Sequence, residues 1–148
     1  MTQGNGSPQI DDLKTVQVVA RIPLWASIVV ILGALLTITG AVISKVDPTL
    51  LTSGGSMTDT ARVYADYMFA RNLAVAILLL VLLAARARQM LAGFMVLTAL
   101  IQTIDVFDDL ARGAFVLVPG LVLFAIVFFV GASLLFGRPV WQIAAWRN

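Results

Sequence analysis

The chain has 148 residues, of which 60% are hydrophobic and 12% charged, and its formal net charge is +2. Soluble domains carry about 25% charged residues, so this composition leaves too little polar surface for a water-soluble globule. The length allows one domain. The ten Lys and Arg residues are scattered along the chain, which excludes the basic patch typical of proteins that bind nucleic acid.

The residue types that are missing exclude further classes of protein. Cys and His are both absent, which removes disulfides, thiol redox chemistry, haem ligation by these side chains and ordinary zinc sites. All eight acidic residues are Asp. We therefore expect no metal site and no cofactor, and any proton chemistry has to rest on Asp, Tyr, Lys or Arg.

Residues 1–23 are predicted to precede the membrane-spanning part. The stretch from Met1 to Pro8 contains Gly, Ser and Asn and is predicted to be disordered. Apolar residues then recur at helical spacing beside charged ones, which predicts a short amphipathic helix on the cytoplasmic membrane surface. The first 20 residues show no apolar core followed by a small-residue cleavage site, so we expect no signal peptide.

Four apolar runs are long enough to cross a bilayer. A helix needs about 20 mostly apolar residues to span a hydrocarbon core of ~30 Å, and such runs occur at about 24–44, 61–85, 89–111 and 114–136. The predicted fold is therefore an all-α integral membrane four-helix bundle, followed by an interfacial cytoplasmic tail at 137–148. Small residues on span one, such as Gly33, Thr37 and Gly40, are interpreted as sites of close helix packing.

The distribution of Lys and Arg predicts the orientation of the bundle. The amino-terminal segment, the loop between spans two and three, and the tail hold six of these residues: Lys14, Arg21, Arg86, Arg88, Arg138 and Arg147. The opposite side holds three: Lys45, Arg62 and Arg112. The positive-inside rule then places both termini in the cytoplasm of a multi-pass protein of the inner (plasma) membrane, with Trp25, Trp141 and Trp146 as anchors at the cytoplasmic face.

Spans two and three carry polar residues that fall at matching depths. They are predicted to form a hairpin around Ala87, and residues equally far from that point lie at similar depth, since each adds about 1.5 Å along a helix. Arg71 lies 16 residues before Ala87, and Asp105 lies 18 residues after it. Both are therefore expected in the outer half of the bilayer, roughly 24–27 Å from the turn.

Helical spacing predicts that these two residues also face each other. On span three, one face carries Thr98, Gln102, Asp105 and Asp109. On span two, one face carries Tyr64, Tyr67 and Arg71, with Asn72 at its edge. A charge at a helix centre costs about 2.5–3.5 kcal/mol on insertion scales, so pairing Arg71 with Asp105 inside the bundle is the favoured arrangement.

The polar cluster supplies the candidate site residues. The predicted ligand-binding residues are Tyr64, Tyr67, Arg71, Asn72, Gln102 and Asp105, and Asp105 is also the candidate catalytic acid or base. The residues assigned to an outer rim are Asp66, Asp108 and Asp109. Two other interpretations stay open: solvated helix ends and an aromatic belt account for the outermost residues, and Arg71 with Asp105 forms a structural clamp.

The polar pattern resembles that of a known family. The stretch from Phe69 to Gly113 has Ala70-Arg71-Asn72 opening the second span, a short basic turn, and Asp105 or Asp108 late in the third span before a closing Gly. These features resemble a family of small bacterial four-span membrane proteins of unknown function. The resemblance covers about a third of the chain. The resemblance supports Arg71, Asn72 and Asp105 as candidate site residues, and it implies no particular reaction.

Three functional hypotheses follow from these predictions. The leading one is a pocket in the outer half of the bilayer that binds a small or lipophilic ligand, with acid–base catalysis on that ligand as an enzymatic version. The second is an accessory or scaffold subunit of a larger membrane protein complex. The third is an ion- or proton-coupled transporter that works as an oligomer. The expected partners are the lipid bilayer, a ligand, and membrane proteins or further copies of the chain, and not nucleic acid.

Overall fold

Four long helices make up the described part of the protein. A computed structural model describes residues 22–47 and 58–146. The helices are α1 (Leu24–Val46), α2 (Asp59–Ala84), α3 (Arg88–Arg112) and α4 (Val118–Phe136). Each has 19 residues or more and is apolar enough to cross a membrane, and no strand occurs in the described ranges. The predicted all-α class with four spans is confirmed, and the chain is a multi-pass membrane protein.

The helix bounds follow the sequence signals closely except at the start of α4. Helices α1, α2 and α3 begin and end within two residues of the predicted bounds. Helix α4 begins at Val118, four residues later than predicted, and carries Pro119 in its first turn, where a residue without an N–H is best tolerated. The amphipathic helix predicted within residues 1–23 lies outside the described residues, apart from Ile22 and Pro23.

A tight turn joins α2 directly to α3. The backbone N–H of Ala87 donates to the Leu82 carbonyl at 3.1 Å, and that of Arg86 donates to the Leu83 carbonyl at 3.0 Å. These two bonds form a Schellman motif, in which the residue after the helix adopts a left-handed conformation. Arg86 does so with φ 54°. We call the end of the bundle that contains Arg86–Arg88 the turn end.

The four helices are arranged as two hairpins. Helix α1 packs along α2, and α3 packs along α4, whereas α2 with α3 and α1 with α4 make far fewer contacts. The α2–α3 pair therefore connects the hairpins without forming a closely packed pair of its own. The sequence predicts a hairpin of spans two and three. The tight turn joins them as predicted, but α2 packs more closely along α1, and α3 along α4.

A closely packed core fills the bundle towards the turn end. Its largest fully buried side chains include Val30, Leu79, Leu91, Met95 and Phe128. The Phe128 ring of α4 packs directly against Gly33 of α1, because a Cβ there would lie 2.4 Å from Cζ of Phe128. In the described part of the chain no buried side-chain nitrogen or oxygen lacks a hydrogen-bond partner, as a membrane interior requires.

The tail folds back against the turn end. Residues 143–145 form a short 3₁₀ turn, and the ring of Trp146 packs on Phe136 with centroids 4.9 Å apart. The indole N–H of Trp146 donates to the Val140 carbonyl at 2.8 Å. Arg88 adds a link between α3 and α4, since its Nε donates to the Leu135 carbonyl at 2.9 Å. The described tail thus stabilises the same end as the core.

Candidate functional site

A cavity of about 750 Å³ lies at the end of the bundle opposite the turn end. All four helices line it with the halves that are remote from the α2–α3 turn, for example through Ile43, Met68, Gln102 and Phe124. We call this region the pocket end. Ligand sites in proteins typically measure about 300–1,000 Å³ and are mostly apolar with a few polar groups, so the cavity has the size and composition of a binding site.

Two stacked phenylalanines separate the cavity from the core. Phe124 lines the cavity, and its ring stacks on Phe128 with centroids 4.3 Å apart and planes 17° apart. Phe128 is only 1% exposed and lies directly against Gly33 of α1. The close approach at Gly33 therefore holds Phe128 in place, and Phe128 in turn supports the cavity wall at Phe124.

An ion pair on the cavity wall joins α2 to α3. The two terminal guanidinium nitrogens of Arg71 donate to the two carboxylate oxygens of Asp105, at 3.2 and 2.9 Å. The Nε of Arg71 donates to Oδ1 of Asn72 at 3.3 Å. Paired parallel bonds of this kind are the strong geometry for Arg with a carboxylate. Among residues 22–47 and 58–146, no other side-chain hydrogen bond connects the α1–α2 hairpin with the α3–α4 hairpin.

A second ion pair lies further along α3. One terminal nitrogen of Arg112 donates to Oδ1 of Asp109 at 2.8 Å. Asp109 is 8% exposed, and both residues line the cavity. The charged residues of the described lining are thus two Arg and two Asp, whose formal charges cancel.

Three polar groups on the wall have hydrogen-bonding capacity that the described residues do not use. The Gln102 amide and the Tyr64 hydroxyl bond to none of these residues, and Asn72 accepts from Arg71 through Oδ1 while its NH₂ group donates to none of them. The Asn72 amide nitrogen lies 4.0 Å from the position of a Cβ on Gly40, which places it beside α1. These groups are available to a ligand.

The structure brings together six of the nine site residues predicted from the sequence. The six that line the cavity are Tyr64, Arg71, Asn72, Gln102, Asp105 and Asp109. The other three are Tyr67, Asp66 and Asp108, which are not part of its wall. Tyr67 is 70% exposed on the outside of α2, Asp66 forms an ion pair with Lys45 of α1, and Asp108 is exposed.

Sequence reasoning assigned no site residue to α1 or α4. Thr37, Gly40 and Ser44 of α1 and Gly120 and Phe124 of α4 line the cavity. The signal for α1 was present, because small residues recur along one face of that helix, but it was interpreted as helix packing. Such residues also leave space where the neighbouring helix diverges, and only the arrangement of the helices distinguishes the two outcomes.

The candidate catalytic residue Asp105 is held in an ion pair. Both carboxylate oxygens of Asp105 accept hydrogen bonds from Arg71, so this side chain is an engaged ion-pair partner and not a free base. In the described ranges no group of three acidic side chains is placed to hold a metal ion.

No protein-family model, curated protein or solved structure matches the chain, and the resemblance to a bacterial four-span family stays a prediction.

Proposed function

We propose that the protein binds a small or lipophilic ligand in the cavity between its two helix hairpins. One observation carries the proposal: a cavity of about 750 Å³ that has unused polar groups beside an ion pair on an otherwise mostly apolar wall. Apolar walls supply contact area, and a small number of placed polar groups orients the ligand.

The cost of the charged side chains supports the same proposal. A charge at a helix centre costs about 2.5–3.5 kcal/mol, while a hydrogen bond between membrane helices contributes about 0.6 kcal/mol on average. The Arg71–Asp105 pair, whose side chains are 35% and 20% exposed, is therefore an expensive way to stabilise a bundle that already has a packed core. A role in ligand binding accounts for charged residues at this position, whereas a purely structural ion pair does not.

We further propose that the pocket end lies in the outer half of an inner (plasma) membrane, with both termini in the cytoplasm. The described turn end carries Arg86, Arg88 and Arg138 and no Asp, whereas six of the eight Asp residues belong to the pocket end. The positive-inside rule supports this orientation. The test uses the absence of native cysteine: Gln142→Cys at the turn end should be protected from a membrane-impermeant maleimide in intact cells, and Thr60→Cys at the pocket end should be labelled.

The binding proposal is tested by native mass spectrometry of the protein extracted gently from its own membrane. Ala65 lines the cavity. Ala74 is nine residues further along α2, on the opposite face, and is exposed. Ala65→Leu extends a larger side chain into the cavity, and Ala74→Leu adds the same atoms outside it. We expect a small molecule or lipid to be retained by the wild type and by Ala74→Leu, and to be lost from Ala65→Leu.

Three results would overturn the proposal. The first is a wild-type protein that retains no small molecule, and the second is a molecule that is retained equally by both variants. The third is a stoichiometric protein partner without any small molecule, which would make the chain an accessory subunit of a larger complex.

A further inference from the structure

We propose that the ligand is an uncharged amphiphile, with a hydroxyl or amide head and a hydrocarbon chain. This inference rests on the proposed binding function and specifies the chemistry of its ligand. Three features of the cavity carry it: the balance of its charges, the identity of its unused polar groups, and the space around them.

The charges of the cavity are already paired with each other. Arg71 is bound to Asp105 through two hydrogen bonds and to Asn72 through a third, and Arg112 is bound to Asp109. Residues 48–57, which connect α1 to α2, contain no charged residue. An ionic head would therefore find no unpaired counter-charge on the described wall. Displacing Asp105 from Arg71, whose side chains are 20% and 35% exposed, would leave a partly desolvated charge uncompensated, which is unfavourable.

The unused groups match a head that both donates and accepts hydrogen bonds. The Gln102 amide offers an acceptor oxygen and an NH₂ donor, the Asn72 NH₂ offers donors, and the Tyr64 hydroxyl offers both functions. Hydroxyl and amide groups complement this set without bringing a charge. A purely hydrocarbon ligand would leave these groups without partners, which costs free energy for each group that it removes from water.

The remaining space is suited to a hydrocarbon chain. A volume of about 750 Å³ is far larger than the roughly 30 Å³ that one water molecule occupies in the liquid, so a hydroxyl or amide head fills only a small part of it. Around the polar groups the wall is formed by apolar side chains such as Leu36, Ile43, Met68, Leu121 and Phe124. The two hairpins make few contacts with each other, which leaves a cleft for a chain to lie in.

The test uses three photoreactive probes that have the same 12-carbon chain and differ only in the head: an alcohol, a sulfonate and a trimethylammonium. The full-length protein is placed in phosphatidylcholine nanodiscs, and the labelled peptides are identified by mass spectrometry. We expect the alcohol to label cavity-lining peptides at least tenfold more than either ionic probe. Gln102→Leu should lower that labelling about tenfold, Ala65→Leu should abolish it, and Ala74→Leu should leave it unchanged.

A second variant keeps the test decisive if Gln102→Leu folds poorly. Gln102→Lys adds one unpaired positive charge to a wall whose charges otherwise cancel, so labelling by the sulfonate should rise about tenfold relative to the alcohol. If an ionic probe labels the wild-type cavity as well as the alcohol does, and Ala65→Leu abolishes that labelling, the inference about the head is overturned while the binding function stands. If no probe labels the cavity in a way that Ala65→Leu prevents, both fall together.

Discussion

The two halves of the bundle are built from the same four helices, yet they differ in what lies between them. Towards the turn end the space is filled by side chains such as Leu79, Met95 and Phe128, all at most 1% exposed. At the pocket end the helices surround a cavity with two ion pairs. A membrane bundle can therefore leave space between its helices at one end when side-chain packing at the other end keeps the helices together.

The comparison also explains why the ion pair at Arg71 lies where it does. Lipid tails are as apolar as Leu, so burying apolar surface between helices gives little driving force in a membrane, and van der Waals packing and hydrogen bonds take its place. Packing joins the hairpins near the turn end through Phe128 and Gly33. At the pocket end, the paired hydrogen bonds between Arg71 and Asp105 connect them on the cavity wall.

The largest expected effect on stability comes from breaking that connection. Asp105→Ala leaves the Arg71 charge without its partner, and we expect a loss of about 2 kcal/mol in the free energy of unfolding, below the full cost of an uncompensated buried charge because the pair is partly exposed. Unfolding in mixed detergent micelles measures it. The matched control is Asp66→Ala, whose partner is Lys45; both side chains are more than half exposed, so the loss should stay below about 1 kcal/mol. Equal losses would show that the ion pair at the cavity contributes no more to the free energy of unfolding than the exposed pair does.

Replacing both partners separates a clamp from a binding group. Arg71→Met combined with Asp105→Leu removes both charges together, and apolar replacements of buried ion pairs are often neutral for stability. We expect this double variant to unfold within about 1 kcal/mol of the wild type. It should lose the ligand in native mass spectrometry, because Asn72 no longer accepts the Arg71 hydrogen bond that orients its amide towards the ligand. If the ligand is retained, the pair is a clamp and takes no part in binding.

The next effect compares two glycines on α1. A Cβ on Gly33 would lie 2.4 Å from Cζ of Phe128, whereas the nearest atom to a Cβ on Gly40 is Nδ2 of Asn72 at 4.0 Å. Gly33→Ala should therefore lower the free energy of unfolding by about 1.5 kcal/mol, because the cost of overpacking exceeds what Ala gains over Gly in helix propensity. Gly40→Ala should change it little, because its side chain enters the cavity. The same unfolding assay checks both. Similar losses would contradict the conclusion that the turn end is closely packed while the pocket end contains a cavity.

Part of this site was accessible from the sequence because helix geometry is regular. Each residue adds about 1.5 Å, so counting outward from Ala87 places Arg71 and Asp105 at nearly the same depth, and the structure joins them with two hydrogen bonds. The periodicity of α3 likewise predicts that Gln102, Asp105 and Asp109 share one face, and all three line the cavity.

The arrangement of the helices was not accessible in the same way. Apolar composition marks a span but does not specify which spans pack closely, because each of the four helices exposes apolar residues to its surroundings. Asp66 illustrates the consequence. Its spacing from Arg71 turns it away from the cavity face of α2. That spacing does not identify the helix it faces, which is α1, where Asp66 pairs with Lys45. The start of α4 was also misplaced. The chain is apolar on both sides of Pro119, so composition alone does not show that the helix begins at Val118.

The smallest expected effect compares two helix ends that share one motif. At the turn end, α2 closes with Arg86 at φ 54°, and at the pocket end, α3 closes with Gly113 at φ 74°. In both motifs the next residue donates back across five positions, Ala87 to Leu82 at 3.1 Å and Ala114 to Asp109 at 2.8 Å. A left-handed conformation costs roughly 1–2 kcal/mol for a residue with a side chain, and part of that is offset when Gly is introduced because Gly loses more entropy on folding.

Exchanging the residue types at these two ends should therefore shift stability in opposite directions. We expect Arg86→Gly to raise the free energy of unfolding by about 0.5 kcal/mol and Gly113→Ala to lower it by about 1 kcal/mol. Ala85→Gly is the control for Arg86→Gly, because Ala85 has φ −70°, so it relieves no strain and should lower stability. A loss of stability in Arg86→Gly would mean that the Arg86 side chain contributes more at the membrane surface than its backbone conformation costs. Because Arg86 is remote from the cavity, Arg86→Gly should not change ligand retention. Stability would then depend on the turn end independently of ligand binding at the pocket end.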